Sequence, residues 1–400
     1  MRDENTQDDR RDGAAFCDSS YDRRKLLYHP QVIADLLRDG DVWPITVNTG
    51  FTTYCNHSCA WCSSAYTTRV EPSLKRRDQL VIDPKVWIPM ISTLAQRGTQ
   101  GLIIAGQGEP LLHPAAKEML DAVAQTGMRF MIFTNGQRLH ERYFDSFFTG
   151  AAAVRFSVDA ATEATHTRWH AADTSNGKGR ANFEQIIENI RALVDEKKRR
   201  GLRSPDIGCQ MICSRLTESD FEEFADLFRS IGVDYVAYKS LQGNLANDKI
   251  SISSFDLHES DAERRAQAAR MVETLWDIKR RYETPTFRVH VKAGQIHQAY
   301  AQRFNGAVRY DRCRAHPLTP MIEPDGKVYL CIDHGGNDEF VIGNIYDSPI
   351  EQIWASERRR DVIARIDLTA KCPAGCFLDD ANAILHRIAN PDPAHHPMLI

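Results

Sequence analysis

Two hydrophobic rhythms alternate along the chain. Short apolar runs, PITVNTGF, GLIIAG, RFMIFTNG, AVRFSVDA, IGCQMIC and VDYVAYKS, are separated by segments whose apolar residues recur every three or four positions, over 83–97, 114–126, 139–148, 181–200 and 218–231. The first rhythm suits strands covered on both faces, and the second suits the helices that cover them. Strands alternating with helices imply right-handed βαβ units and a parallel sheet. The expected class is α/β, a partial (β/α)6 TIM-like barrel over residues 45–245.

The flanks read differently. Residues 1–44 form an extension: the first twenty or so are charged and expected to be disordered, and RRKLLYHPQVIADLLRDG predicts a helix that stops at Gly40. Over 246–304 a long charged helix near 259–282 and the strand FRVHVKAG link the barrel to a second unit at 305–385. In that unit MIEPDGKVYLCID predicts a hairpin around Pro324-Asp325-Gly326, IEQIWASERRRDVIARI predicts one amphipathic helix, and 386–400 is a tail.

Apolar residues at 42% and charged residues at 26% are ordinary for a globular protein. A net charge of −4 gives no basic footprint for a nucleic acid, and the run Lys197–Arg200 reads as a solvated helix end. The charged N-terminus has no apolar core of a signal peptide and no stretch is long enough to span a bilayer, so a cytoplasmic protein with a small or peptidic substrate is expected.

The ten cysteines change the picture, because clustered thiols in a cytosolic chain point to metal or catalysis. Cys55, Cys59 and Cys62, in CNHSCAWC, follow the first strand. Three thiolates on one loop can ligate three irons of a cubane and leave the fourth open. Zinc is the alternative, but a structural zinc site normally closes with four ligands, and His57, between the cysteines, would have to fold back to supply the fourth. Cys313, Cys331, Cys372 and Cys376 form a second group. Cys209 and Cys213 share one face of the fifth strand, where a thiol, Cys213 in particular, could return a hydrogen atom to a substrate radical; burial as small apolar groups is the plain alternative. Cys17, in the charged terminus, is assigned no role.

The C-x3-C-x-aromatic-C loop after the first strand of a partial barrel resembles the radical S-adenosylmethionine (SAM) superfamily signature. The resemblance implies a [4Fe–4S] cluster on Cys55, Cys59 and Cys62 whose open iron chelates SAM. It implies Trp61 against the adenine and a 5′-deoxyadenosyl radical as the hydrogen abstractor. Gly106-Gln107-Gly108-Glu109-Pro110 resembles the family's GGE motif, with Gly108 and Glu109 in place and Gln107 intervening; it implies that Glu109 meets the SAM amine. Asn135, Ser157 and Asp159, at the ends of the third and fourth strands, are implied as further SAM contacts, against a plain turn and capping role. Strand alternation puts Ser157 and Asp159 on one face. Relatives carry an arginine beyond the serine, a role open here to Arg168 or His170.

The second group, with Gly343-Asn344-Ile345 and Ile353-Trp354 between its members, resembles SPASM and twitch domains. Four cysteines where the full SPASM pattern has seven imply a twitch-type domain with one auxiliary [4Fe–4S] cluster; a four-thiolate zinc is the alternative. A fully ligated second cluster suits electron transfer and thus net oxidation, resembling the aminocyclitol and sugar dehydrogenases of this group. Alcohol oxidation also needs a base, for which Lys239, His290, Lys292 and His334 are candidates. Epimerisation through Cys213 and peptide modification remain alternatives. The stretch before PITVNTGF is shorter than the peptide-recognition domain many SPASM-type enzymes carry, which favours a carbohydrate or cyclitol. A flavodoxin or ferredoxin is the implied reductant. A non-catalytic iron–sulfur or zinc protein would leave Glu109 and the polar strand ends without a purpose.

Overall fold

The computed structural model describes residues 23–57, 59, 61–62, 81–170, 183–240, 260–300, 310–368, 372, 376–392 and 394. The expectation of disorder before residue 20, and Cys17, lie outside them. In chain order the elements are α1 (Pro30–Asp39), β1 (Thr46–Thr49), α2 (Pro84–Gln96), β2 (Gly101–Ile104), α3 (Ala116–Gln125), β3 (Arg129–Thr134), α4 (Phe144–Gly150), β4 (Ala151–Ser157), α5 (Glu163–Trp169), α6 (Phe183–Arg199), β5 (Asp206–Cys213), α7 (Phe221–Ile231), β6 (Tyr235–Ser240), α8 (Asp261–Tyr282), β7 (Arg288–Val291), α9 (Ala293–Tyr300), β8 (Met321–Ile322), β9 (Lys327–Tyr329), β10 (Val341–Asn344), α10 (Ile350–Ala355), α11 (Glu357–Ala364) and α12 (Asp379–Ala389).

One open sheet holds all ten strands, in the order β10-β9-β8-β1-β2-β3-β4-β5-β6-β7. From β1 to β7 every neighbour is parallel, so the partial barrel extends beyond the six expected strands: FRVHVKAG joins β6 as β7, with Ala237 opposite His290. The hairpin around Asp325-Gly326 forms as read, β8 against β9, and β8 then lies parallel to β1. The C-terminal unit therefore continues the barrel sheet at its β1 edge, where Pro320 O and Ile322 O accept from Asn48 N and Gly50 N at 2.8 and 3.0 Å.

Capping chemistry sets two helix breaks that periodicity does not show. The N-terminal helix divides at His29-Pro30: residues 23–28 form a 3₁₀ turn and α1 starts on the proline, since the residue before proline avoids helical geometry. IEQIWASERRRDVIARI divides at Ser356, extended at ψ 151°, whose hydroxyl accepts from Arg359 N and starts α11.

The N-terminal extension and the C-terminal unit share a small core of Leu26, Leu36, Ala315, Leu318, Cys331, Leu378 and Leu385. Arg359, 2% exposed, reaches both carboxylate oxygens of Asp41 at 2.5 and 2.6 Å and stacks over Trp354 at 3.9 Å. This bidentate pair pins the extension to the unit that carries the second cysteine group. Helix α12 runs on to Ala389, past the residue where the sequence suggested a tail. Among the described residues no helix is long and apolar enough to cross a membrane.

Candidate active site

The sheet has two chemically distinct faces. Register pairs Arg155 with Gly208, Ser157 with Gln210, Gly208 with Tyr235 and Ile212 with Lys239, so Arg155, Ser157, Gln210, Tyr235 and Lys239 share a face. The opposite face carries Phe156, Cys209, Met211, Cys213 and Tyr238. Tyr238 donates its hydroxyl proton to Phe221 O of α7, and Phe156 lies beside Ile186 of α6 at Gly136, so this second face is the helix-covered one. Cys209 and Cys213 are fully buried in that apolar layer. Burial pushes both thiols well above their usual range. The reading of Cys213 as a hydrogen-atom donor is corrected here: strand alternation turns it away from the polar lumen face and onto the α7 side.

On the lumen face, Gln210 Nε2 donates to Ser157 Oγ at 2.8 Å, and Arg155 Nε donates to Tyr235 Oη at 3.2 Å. Lys239 sits in the field of Asp159 and Arg155; burial lowers its pKa, Asp159 opposes the shift and Arg155 adds to it. His290 shares this face and is pushed down to about 3, by burial first and then by Arg288. His334 does not belong here. It stacks on Phe340 with ring centroids 3.5 Å apart, beside the second cysteine group.

The CNHSCAWC loop leaves the C-terminal end of β1. Cys55 is exposed and Cys59 and Cys62 partly buried. The three thiols lie close enough that Cys55 and Cys62 both raise the pKa of Cys59, after the larger effect of burial. Although the residue Cys55 is exposed at the surface, its thiol is crowded closely enough by protein that desolvation, and then Glu109, pushes it up to about 12. The alternative zinc set has a geometric basis as well, because ligand atoms of His57, Cys59 and His170 lie within 4.8 Å of one another. That trio leaves out Cys55 and Cys62.

Glu109 is 2% exposed, and its carboxylate ties strand ends together. Oε1 accepts from Thr134 Oγ1 at 2.6 Å and Leu111 N at 3.1 Å, and Oε2 from Asn135 N at 2.7 Å. Burial raises its pKa against these three bonds. Asn135 in turn donates from Nδ2 to Asn56 Oδ1 at 2.9 Å, so the order runs from Glu109 through Asn135 into the cysteine loop. Gly108 lies directly under that loop: a Cβ there would stand 2.2 Å from Tyr54 O and 2.7 Å from Thr52 O.

Trp61 is buried and stacks on Trp169, centroids 4.9 Å apart at 24°, which covers one face of the indole. Alternation ends at Ser157, because Asp159 adopts φ +54°. Its Oδ1 accepts from Ile212 N at 2.8 Å, and Oδ2 lies 3.3 Å from His170 Nε2, so Asp159 turns toward β5 and the cysteine loop and does not continue the Ser157 face. Arg168 is exposed and lies over the Trp169 ring. Of the two candidates beyond the serine, His170 comes to the cysteine loop, but as a neighbour of a thiol and not in the SAM-contact role: its Nδ1 is 3.0 Å from Cys59 Sγ.

The second group lines one apolar pocket, in which Cys313, Cys331, Cys372 and Cys376 meet His316, Asp333, His334 and Leu378. Four thiols around one enclosed space are the donor set of a closed [4Fe–4S] cluster. Asn382, absent from the sequence reading, sets its rim: Oδ1 accepts from Arg314 N and Ala315 N at 2.7 and 2.9 Å, and Nδ2 donates to Cys313 Sγ at 3.3 Å. No local signal marks it, since it stands on α12, 69 residues beyond Cys313. Asn382→Ala orphans one buried and one part-buried amide and should cost about 1–3 kcal/mol. Iron content is expected to fall on gel filtration while the first cluster's SAM-dependent activity without substrate persists.

Residues 49–228 match the Radical SAM superfamily, and residues 313–377 match the SPASM iron–sulfur cluster-binding domain. A comparison with curated proteins gave no match. Among solved structures, Streptococcus suis SuiB aligns at TM-score 0.61 and 14% identity over 94% of this chain and 82% of its own. The enzyme anSMEcpe, with bound AdoMet and the Kp18Cys peptide, aligns at TM-score 0.55 and 13% identity over 87% of this chain and 100% of its own. BtrN, in complex with AdoMet and 2-DOIA, aligns at TM-score 0.38 and 14% identity over 81% of this chain and 88% of its own, a score too low to carry a likeness. The open parallel sheet, the cysteine loop and these matches agree: the chain carries the radical SAM domain and the SPASM domain of a radical SAM enzyme with [4Fe–4S] clusters.

Proposed function

We propose that this enzyme dehydrogenates a small polar substrate of carbohydrate or cyclitol type, held against the polar lumen face. The observation that carries the reading is that face itself: Arg155, Ser157, Gln210 and Lys239 line it beside the mouth where the cysteine loop begins. When bound, the first cluster and SAM supply a 5′-deoxyadenosyl radical that abstracts hydrogen, and the second cluster supplies a sink for the electron left behind. Cys55, Cys59 and Cys62 would hold the first cluster and Cys313, Cys331, Cys372 and Cys376 the second. Trp61, Gly108, Glu109, Asn135, Ser157 and Asp159 form the floor and rim on which SAM would rest. A flavodoxin- or ferredoxin-type protein would deliver the starting electron.

Lys239 takes the hydroxyl proton in this reading. Its lowered pKa enlarges the neutral fraction near pH 7, so substrate oxidation rises with pH as the ammonium titrates. Lys239→Met should cut product formation at least ~100-fold and remove that limb of the pH profile, while 5′-deoxyadenosine formed without substrate changes little. Product assayed by mass spectrometry against pH checks this; an unaltered profile in the variant removes Lys239 from the role.

Peptide modification is the second reading, favoured by the alignment of SuiB in its form bound to precursor peptide SuiA, at TM-score 0.61 over 96% of this chain. Acceleration of 5′-deoxyadenosine formation separates the two. A small-metabolite fraction should accelerate it under the first reading, and a peptide fraction under the second.

A further inference from the structure

We propose that His170 is a positioning residue for the first cluster: its Nδ1–H donates to the sulfur of Cys59 and thereby raises the cluster's reduction potential. This rests on the reading of Cys59 as a cluster ligand.

The geometry is direct. His170 Nδ1 lies 3.0 Å from Cys59 Sγ, with the imidazole 2% exposed. The ring is held on every side. His166 stacks on it with centroids 4.6 Å apart at 15°, and Trp61 and His57 meet it edge to face at 6.0 and 5.6 Å. Asp159 Oδ2 closes the far side, 3.3 Å from Nε2. Asp159 itself is a non-glycine residue at φ +54°, a backbone state that costs of order 1 kcal/mol and persists only where the surroundings over-determine it. The bond from Asp159 Oδ1 to Ile212 N anchors it from the β5 side. Among the described residues Nε2 makes no hydrogen bond, so the ring proton can sit on Nδ1, the nitrogen that faces a ligand thiolate with no proton of its own to give; imidazole and sulfur form one buried pair at the C-cap of α5, with Asp159 beside it.

A metal-bound thiolate keeps its negative charge, and the charge on the cluster grows when it is reduced. A donor aimed at a ligand sulfur stabilises the reduced form more than the oxidised form, so it shifts the potential upward. For a cluster that must pass an electron to SAM, that shift sets how strong a reductant is needed and how much driving force is left for cleavage.

The test is an EPR-monitored redox titration of the reconstituted full chain, following the signal that changes on SAM addition. His170→Phe removes the donor, and His170→Asn keeps an N–H near the same place. The expected result is a midpoint potential moved to more negative values in H170F and partly restored in H170N, with iron content and SAM affinity by equilibrium dialysis within about twofold of wild type. An unchanged midpoint in H170F overturns the proposal; so does a tenfold loss of SAM affinity in both variants, which assigns the side chain to SAM. Cys59→Ala distinguishes the underlying reading: if the SAM-sensitive signal survives in C59A, the cluster assignment fails, and if it vanishes while H170F titrates like wild type, only the role of His170 does.

Discussion

Replacing Cys55, Cys59 or Cys62 with alanine should abolish reductive SAM cleavage, lowering 5′-deoxyadenosine formation by ~10³-fold or more. Each residue is the source of one thiolate, and the loop offers no spare sulfur: Cys209 and Cys213 face α7 and the remaining four described cysteines line the other pocket. A site left with two thiolates cannot hold three irons, and a loss of that size corresponds to about 4 kcal/mol of barrier. The fold should tolerate the change, because Cys55 is exposed and its neighbours are only partly buried. Cys313→Ala is the contrast. It should lower iron content and stop net oxidation, yet leave substrate-free SAM cleavage measurable by chromatography.

Gly108→Ala should be nearly as damaging, although it removes no ligand. The new methyl would stand 2.2 Å from Tyr54 O and 2.7 Å from Thr52 O and Thr53 C, all of them backbone atoms of the segment that leads into Cys55. No side chain can swing aside, so the loop itself must move by about 1 Å, and displacements of that size in a reacting array cost on the order of 10²-fold in rate. The bond from Glu109 N to Tyr54 O, 2.8 Å, would be stretched by the same movement. We expect an at least ~100-fold fall in 5′-deoxyadenosine formation with a stability loss of only ~1–3 kcal/mol by denaturant titration. Gly294→Ala, where a Cβ meets nothing within 4 Å, should be silent in both measurements.

What the sequence made legible follows from period and local chemistry. Continuous apolar runs such as IGCQMIC, short and alternating with helical segments, suit strands covered on both faces, and the structure makes β5 buried along nearly its whole length. The cysteine spacings were equally plain, because ligand loops are local. Facing was harder. Cys209 and Cys213 do share a face, but choosing which face needed the partner strands, and only the register with Tyr238 and the bond to Phe221 O turned them toward the helices. Asp159 shows a second limit: alternation predicted a lumen-facing side chain, and a single positive φ redirected it. Arg168 and His170 are two positions apart on α5 and its C-cap, so a small uncertainty in alignment swapped a buried neighbour of Cys59 for an exposed residue over Trp169. Asn382 and the Asp41–Arg359 pair bridge distant parts of the chain, and no local pattern encodes such contacts.

The most direct test of the central claim, a radical SAM enzyme with two clusters, is anaerobic reconstitution followed by addition of dithionite and SAM, with iron and zinc counted in the same sample. The expected result is roughly eight irons per chain, no stoichiometric zinc, and 5′-deoxyadenosine that accumulates only when reductant and SAM are both present. About four irons with one zinc would contradict the second cluster, and a fully iron-loaded chain that yields no 5′-deoxyadenosine would contradict the account at its base.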